Sequence, residues 1–247
     1  VIISPEEILS IMVNEEDHLR IQVLQSGLNL EETWRIIDRV ESSLSSRLEF
    51  AFNSQCGYLT ACPTNTGPAM RGSVMLHLPA LVMTKQIQKV LNAIAKLSFS
   101  TRGFYGEGTQ ARGNFYQISN QVSLGHAEMD ILQNINGLIR QVIEQEEQAR
   151  QALLVQNRPV LEDKIFRSFG LLKNAHIISS QETVELLSMV RLGIDLGIIK
   201  DIDRTAVNEL FIVTQPAHLQ KGEGKKLSSA ARDIKRAGLI RTRLGGK

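Results

Sequence analysis

Carboxylate side chains are concentrated in one short stretch near the start of the sequence. Glu15, Glu16 and Asp17 stand in a row, and His18 and Arg20 follow them closely. Carboxylates held at one place attract a cation or a proton donor, so this group could hold a positively charged substrate. The competing interpretation is an ordinary solvated turn, because most charged side chains face water and have no chemical role.

Two further segments each bring one arginine into a loop. The first runs from Cys62 to Arg71, and the second is glycine-rich and runs from Arg102 to Glu107. If these arginines met Arg20 at one place, they would repel one another unless a polyanion lay between them. Guanidinium groups match phosphate oxygens well. A triphosphate with its metal ion, next to a cationic acceptor, would satisfy both the arginines and the carboxylates.

Each of these segments also has a simpler explanation when it is taken alone. A cysteine before proline, such as Cys62, is more often a packed small side chain than a reactive thiol. The glycines of segment 102–107 lack the lysine and the Ser/Thr of a phosphate-binding P-loop. No single segment indicates a site by itself, but the three segments together favour one shared site.

The composition excludes several classes of function. The chain has 247 residues, 43% of them hydrophobic, and a net charge of +2, so no general attraction to nucleic acid or membranes is expected. Cys56 and Cys62, the two cysteines, are six positions apart without zinc-site spacing, which predicts no metal site and a reducing, cytoplasmic location. No apolar run predicts a membrane helix or a signal peptide. Because the chain opens on Val1, we expect a piece of a longer protein.

The apolar pattern predicts which elements position these loops. Alternation predicts strands at 10–14 and 19–25, so the acidic stretch would form the tip of a hairpin. A helix is expected from 29 to 50, capped by Asn29. We further expect strands at 57–61, 71–81 and 116–120, a helix at 84–97, and loops at 62–69 and 102–115.

After Gly125 the apolar residues follow a helical pattern, and no strand pattern is found. A long helix is predicted at 126–154, and shorter helices are separated by breaks at 157–159, Gly170, 176–180 and Pro216. This order predicts an α+β fold, in which an antiparallel sheet flanked by helices precedes an all-helical C-terminal domain. We place the domains at residues 1–150 and 151–247.

The last predicted helix begins after Ser228 or Ser229 and runs through Leu244. Arg232 and Arg236 lie four residues apart on it and share a face, and Asp233 stands three residues before Arg236. Two arginine forks on one helix could bind phosphoryl oxygens. The alternative is a solvated surface pair that contributes little.

Three of these segments together resemble a known family. "NEEDHLR" at 14–20, "CPTN" at 62–65 followed by "MRGSVMLHLP" at 70–79, and "RGFYGE" at 102–107 resemble the ATP:guanido phosphotransferases, or phosphagen kinases, in order and spacing. The helical remainder with "RDIKRA" at 232–237 is similar to the bacterial protein arginine kinase branch. The resemblance implies a family member without its N-terminal part, which would carry further arginines, so this chain alone is expected to be poorly active.

The resemblance also implies a role for each site residue. Glu16 would be the base, with Glu107 as second carboxylate and Cys62 as a thiol beside the guanidinium. ATP, with Mg²⁺, would be bound by Arg20, Arg71, Gly72, Ser73, Val74, Met75, Arg102, Gly103, Phe104, Tyr105 and Gly106. Small-molecule phosphagen kinases tend to have histidine where this chain has Met75. Allosteric phosphoarginine binding would fall to Arg232, Asp233 and Arg236.

The branch implies partners and a cellular role as well. Its members phosphorylate exposed arginines of proteins and mark them for Clp-type degradation, as part of protein quality control. The resemblance thus implies a homodimer that works with a Clp protease ATPase and an activator protein, without direct nucleic-acid or membrane binding. Two alternatives stay open: a non-catalytic phosphoarginine-binding adaptor, and a phosphagen kinase that acts on a free guanidino compound.

Overall fold

The structure is a computed structural model that describes residues 1–103 and 112–245. Within these residues the chain forms short strands first and helices afterwards. The strands are β1 (Ile2–Ile3), β2 (Leu9–Val13), β3 (Leu19–Val23), β4 (Phe52–Asn53), β5 (Gly57–Tyr58), β6 (Ser73–His77), β7 (Phe99–Gly103) and β8 (Phe115–Asn120). The helices are α1 (Leu30–Ser45), α2 (Pro79–Met83), α3 (Ile87–Lys96), α4 (Glu128–Gln156), α5 (Arg158–Asn174), α6 (Ser180–Asp195), α7 (Arg204–Val213), α8 (Pro216–Glu223) and α9 (Ser229–Leu244). This is the predicted α+β class.

Contacts divide the chain into two compact units. The first unit contains Val1–Val74, Leu91–Thr101 and Ile118–Val142, and the second contains the described residues of Met75–Val90, Arg102–Gln117 and Ile143–Lys247. The strands form three small sheets in the orders β1-β2-β3, β4-β5 and β6-β8-β7. None of the helices within 1–103 and 112–245 is long and apolar enough to cross a membrane.

In the first unit, an antiparallel sheet carries the acidic hairpin. β1 pairs with β2, and β2 pairs with β3 in a register that places Val13 opposite Leu19, so residues 14–18 form the tip. The helix α1 packs beside β3. The buried core of this unit is formed by other elements. It includes Ile94 of α3, Ile118 of β8 and Ile135 of α4, each at most 1% exposed.

The second unit is built around packed helices. Apolar side chains at helical spacing on α5, α6, α7 and α9 are fully buried, as amphipathic helices require. They include Leu161, Ile165, Leu172, Val184, Leu187, Val190, Val207, Leu210 and Ile240. The short helix α2 is fixed by the buried carboxylate of Glu146, which accepts hydrogen bonds from the backbone N–H groups of Ala80 and Leu81 at 3.0 and 2.9 Å.

Several predicted boundaries were wrong for local reasons. The strand expected at 71–81 ends at His77, because Pro79 begins α2 and cannot continue a ladder of backbone donors. The break expected at Gly170 is absent, since a single glycine is tolerated inside α5. Strand β7 was not predicted. Asn29 stands at the cap position of α1, but its side chain donates to the Ser26 carbonyl instead of capping the helix.

Candidate active site

The predicted hairpin tip is confirmed, and its shape depends on Asn14. This residue has a φ of 54°, a left-handed conformation that asparagine tolerates better than most residues. The backbone N–H of Asn14 donates to the His18 carbonyl at 3.0 Å, which closes the tip. The side chain of Glu16 is exposed on this turn. It is therefore accessible to a substrate.

Arg20 lies on β3 beside the tip and forms an exposed ion pair. Its Nη1 is 3.4 Å from Glu15 Oε2, and the two side chains are 57% and 44% exposed. A pair this open to water contributes roughly 0–1 kcal/mol. An incoming phosphate could therefore replace Glu15 as the partner of Arg20 at little cost.

Asp17 connects the tip to the segment that contains Cys62. Its Oδ1 accepts from the Ala61 backbone N–H at 2.7 Å, and its Oδ2 accepts from Asn65 Nδ2 at 3.4 Å. These residues are 44 and 48 positions away in sequence. Two hydrogen bonds thus place the turn that carries Glu16 against the segment that carries Cys62.

The segment around Cys62 is held in a defined loop. Pro63–Asn65 form one 3₁₀ turn, with Cys62 immediately before it. Cys62 Sγ lies 2.9 Å from Thr64 Oγ1, and the Thr60 hydroxyl donates to the Cys62 carbonyl at 2.7 Å. The loop is closed at its base, where the Tyr58 N–H donates to the Gly67 carbonyl at 2.7 Å. The thiol therefore sits on a braced loop that Asp17 ties to the hairpin.

Arg71 is oriented by serines from two strands of the third sheet. Its Nη2 donates to Ser119 Oγ at 2.8 Å and to Ser100 Oγ at 3.3 Å, and its Nε donates to Ser119 Oγ at 3.2 Å. Ser119 is fully buried, whereas Arg71 as a whole is exposed. The neighbouring backbone is also fixed, because the Gly72 N–H donates to Asn120 Oδ1 at 2.9 Å. Such an arginine is pre-positioned for an anionic ligand.

The other residues expected to bind ATP are distributed as follows. Gly72, Ser73 and Val74 belong to the first unit, and Met75, 42% exposed, belongs to the second. Arg102 and the buried Gly103 lie at the end of β7, also in the second unit. Phe104, Tyr105, Gly106 and Glu107 lie outside the described residues.

In the C-terminal helix α9, Arg236 is a buried residue. It is 1% exposed, its Nε donates to the Thr214 carbonyl at 2.9 Å, and its Nη1 donates to the Ile178 carbonyl and to Asp233 Oδ1 at 2.9 and 2.5 Å. Arg232 is half-buried, and its Nη1 donates to the Leu227 carbonyl at 2.9 Å. The interpretation of these residues as a solvated surface pair is therefore wrong for Arg236.

Sequence reasoning missed the residues that position the others. Asp17 was noted only as part of an acidic run, and Asn65, Ser100, Ser119 and Asn120 were not singled out. Neutral polar side chains of this kind carry no motif that indicates a role. The one available signal was the alternation of the strand 116–120, which separates Ser119 and Ile118 onto opposite faces.

The described residues contain no group of three His, Cys, Asp or Glu side chains that could hold a metal ion. Carboxylates and water are the ligands that Mg²⁺ prefers, together with substrate phosphates. A magnesium ion could enter this site with a bound nucleoside triphosphate, whose phosphates would supply ligands.

Comparison with known families shows which family the chain belongs to. The family described as "ATP:guanido phosphotransferase, C-terminal catalytic domain" matches residues 1–149, and the family "Protein-arginine kinase McsB C-terminal domain" matches residues 158–247. The chain belongs to the protein-arginine kinases. These form a branch of the ATP:guanido phosphotransferases, so the family is one of enzymes.

Individual protein-arginine kinases match nearly the whole chain. Those of Halothermothrix orenii and Symbiobacterium thermophilum are each 52% identical over 244 residues, which cover 99% of this chain and 70% and 69% of theirs. The protein-arginine kinase of Bacillus subtilis is 49% identical over 243 residues, 98% of this chain and 67% of its own. The chain thus spans about two thirds of the length of these relatives.

Solved structures of phosphagen kinases share the fold. Lombricine kinase matches with a TM-score of 0.52 and 30% identity, over 58% of this chain and 40% of its own. A duplicated taurocyamine kinase from Schistosoma mansoni, solved with transition-state-analogue components, matches with a TM-score of 0.50 and 31% identity, over 58% of this chain and 20% of its own. Over the 58% of the chain that each of these matches covers, the fold is that of the phosphagen kinases.

Proposed function

We propose that the protein transfers the γ-phosphoryl group of ATP to arginine side chains of proteins. The observation that carries the proposal is the link through Asp17, which joins the exposed Glu16 to the braced loop of Cys62. The acceptor guanidinium would lie between these groups. The curated relatives that match the whole chain are named for the same activity.

In this reaction the bond between the γ-phosphorus and the β-phosphate oxygen breaks, and a bond from phosphorus to a guanidinium nitrogen forms. The proton lost by that nitrogen passes to the Glu16 carboxylate. A base is needed because the guanidinium is a very weak acid, which stays protonated at neutral pH and is a poor nucleophile in that form. Glu107 would be a second carboxylate near the acceptor, and Cys62 would help to orient it.

The nucleotide would be held by arginines, since phosphoryl transfer depends mainly on positioning and charge neutralisation. Arg20 is paired with the exposed Glu15, and Arg71 is oriented by buried Ser119. Both would contact phosphates, and by resemblance to the family Arg102, residues 72–75 and residues 103–106 would make further contacts with the nucleotide. Mg²⁺ would enter with the triphosphate and neutralise part of its charge.

The test is phosphorylation of a protein substrate by Glu16→Gln and by a matched control, Glu49→Gln, an exposed glutamate outside the site. Glu16→Gln should lose acid-labile arginine labelling by a factor of at least about 100, the typical contribution of a positioned base. Glu49→Gln should retain it. Equal labelling by both variants would remove Glu16 from the role of base.

Substrate class separates this proposal from its alternatives. Free arginine or creatine as the preferred acceptor would indicate a small-molecule phosphagen kinase, whereas phosphoarginine binding without transfer would indicate an adaptor. We favour the protein substrate because the helical second part matches the protein-arginine kinase C-terminal family. Domains at residues 1–150 and 151–247 and homodimer formation belong to the same proposal.

The wider role is proposed on the same basis. Phosphorylated proteins would be delivered to a Clp protease ATPase in the cytoplasm, with an activator protein regulating the kinase. Phosphoarginine would feed back allosterically through Arg232, Asp233 and Arg236. The accessible part of this cluster is Arg232 together with the carboxylate of Asp233, which is 26% exposed. Arg236 would act indirectly, by holding Asp233 in place.

A further inference from the structure

The first unit contains a small cavity that the proposed reaction does not use. Its volume is 260 Å³, and it lies against the hairpin of β4 and β5 and the residues that lead into α4. Pockets for drug-sized ligands usually measure about 300–1,000 Å³, so this one suits a single side chain better than a nucleotide. The residues that matter here are Phe52, Tyr58, Gly67, His126 and Glu128.

Part of the cavity wall is aromatic and open to solvent. Phe52 is 59% exposed, although large apolar side chains usually find cover. Its ring meets the Tyr58 ring edge-on, with centroids 5.3 Å apart. Gly57 allows the close approach of two backbone segments beside the cavity, since a Cβ there would lie 2.4 Å from the Gly67 carbonyl oxygen. Exposed aromatic rings attract cations to their faces.

The charge around the cavity is negative. Glu128 lines it, and the Tyr58 hydroxyl donates to Glu41 Oε1 at 2.8 Å. Burial, the hydrogen bond and charge of Glu41, and the charges of Glu128 and Asp38 together raise the pKa of Tyr58 to about 12. Within residues 1–103 and 112–245 none of these three carboxylates forms an ion pair, and no lysine or arginine lines the cavity.

We propose that this cavity binds the side chain of a second lysine or arginine in the protein substrate, away from the arginine that is phosphorylated. Aromatic rings and carboxylates at one place are complementary to an ammonium or guanidinium group. The inference rests on the proposed function for its choice of ligand. It names the substrate class as proteins with two basic side chains, one that is phosphorylated and one that binds in the cavity. A site for a single guanidinium would not distinguish such proteins from other arginine-containing proteins.

The cavity is also connected to the candidate active site through the chain. Tyr58 and Gly67, which line it, are the two bridged ends of the loop that carries Cys62. The Ser123 hydroxyl donates to the Thr66 carbonyl at 3.3 Å, so the wall near α4 is fixed to the same loop. A substrate that occupies the cavity would therefore bind next to the loop that orients its reacting guanidinium.

Binding is tested first without turnover, in the Glu16→Gln protein and without ATP. The probes are Nα-acetyl-lysine amide, Nα-acetyl-arginine amide and the neutral Nα-acetyl-glutamine amide, titrated while the backbone amide NMR signals of Gly57, Gly67 and His126 are followed. The two cationic probes should shift these signals and the neutral probe should not. Phe52→Ala and Glu128→Gln should each raise the dissociation constant about two- to fivefold, typical for exposed cation–π and ion-pair contacts.

The matched control is Asp130→Asn, which removes another carboxylate from the first turn of α4 without touching the cavity. It should bind the lysine probe as the parent does. Unshifted signals with both cationic probes, or equal binding by Phe52→Ala, Glu128→Gln and the parent, would overturn the proposal.

A kinetic arm separates this inference from the proposed function. In the protein with Glu16 intact, a peptide with a second basic residue should have a lower KM than the same peptide with glutamine there. Phe52→Ala should abolish that difference and leave kcat unchanged. If arginine is phosphorylated but the two peptides have the same KM, the inference about the cavity is overturned and the proposed function stands. Lysine binding without any arginine phosphorylation instead refutes the proposed function, and with it the assignment of the cavity to a substrate.

Discussion

Replacing Asp17 by alanine should slow phosphoryl transfer while the protein stays folded. The substitution removes the hydrogen bonds to the Ala61 N–H at 2.7 Å and to Asn65 Nδ2 at 3.4 Å. A hydrogen bond to a charged group contributes about 1.5–3 kcal/mol, and the lower end applies because the Asp17–Ala61 bond is exposed. The bond to Asn65 is near the limiting distance and adds little.

A loss of about 1.5 kcal/mol in holding Glu16 against the Cys62 loop corresponds to roughly a tenfold fall in kcat/KM. Asp17→Asn should be milder, because its amide oxygen can still accept from Ala61. We expect about a threefold fall for this variant, since it loses only the charge of the acceptor. The measurement is the initial rate of protein arginine phosphorylation at varied substrate concentration.

Circular dichroism and urea unfolding accompany the rates, so that a folding defect is recognised. Glu49→Ala serves as a control, because Glu49 is exposed and outside the site. The reasoning about Asp17 would be refuted if Asp17→Ala kept the wild-type kcat/KM. It would also be refuted if Asp17→Asn were as slow as Asp17→Ala.

Two further predictions concern stability. Arg236→Met should lower the free energy of unfolding in urea by about 3–5 kcal/mol, because it leaves two carbonyls and Asp233 without their buried donor. Arg243→Met, which loses an exposed ion pair at 3.6 Å, should change the free energy of unfolding by less than about 1 kcal/mol. Equal destabilisation by the two substitutions would contradict the structural role of Arg236. Burial, followed by the charges of nearby arginines, holds the pKa of His77 well below its ordinary value of 6.5. The unfolded chain therefore binds a proton that the folded chain does not, and stability should fall below pH 6.5 by up to about 1.4 kcal/mol per pH unit. His77→Gln should flatten that slope in unfolding curves, and parallel slopes would count against it.

The hairpin tip could be predicted from the sequence because its causes are local. Strand alternation on both sides and a short polar connection define where 14–18 must lie. The helix α9 and its cap were predictable for the same reason, and the Ser228 side chain does accept from the Ala231 N–H. Patterns of neighbouring residues determine such elements.

Long-range contacts could not be predicted in this way. Asp17 binds residues 44 and 48 positions away, and the serine partners of Arg71 lie on strands β7 and β8. Arg236 shows the same limit, since its acceptors at Ile178 and Thr214 come from other parts of the helical unit. Helical spacing placed it beside Arg232 but could not reveal that it is buried.

The burial of Arg236 determines how allosteric phosphoarginine binding has to be tested. Substituting both arginines of α9 would remove a structural group, so lost binding would not distinguish a damaged site from an unfolded one. Arg232→Ala avoids this difficulty, because Arg232 is half-buried and, among the described residues, donates one side-chain hydrogen bond, to the Leu227 carbonyl. Calorimetric titration of free phosphoarginine should show weakened binding in Arg232→Ala, by roughly tenfold or more for a lost charge-assisted contact. Arg243→Ala, on the same helix, should bind as the parent does. Equal binding by all three proteins would exclude Arg232 as a phosphoarginine ligand.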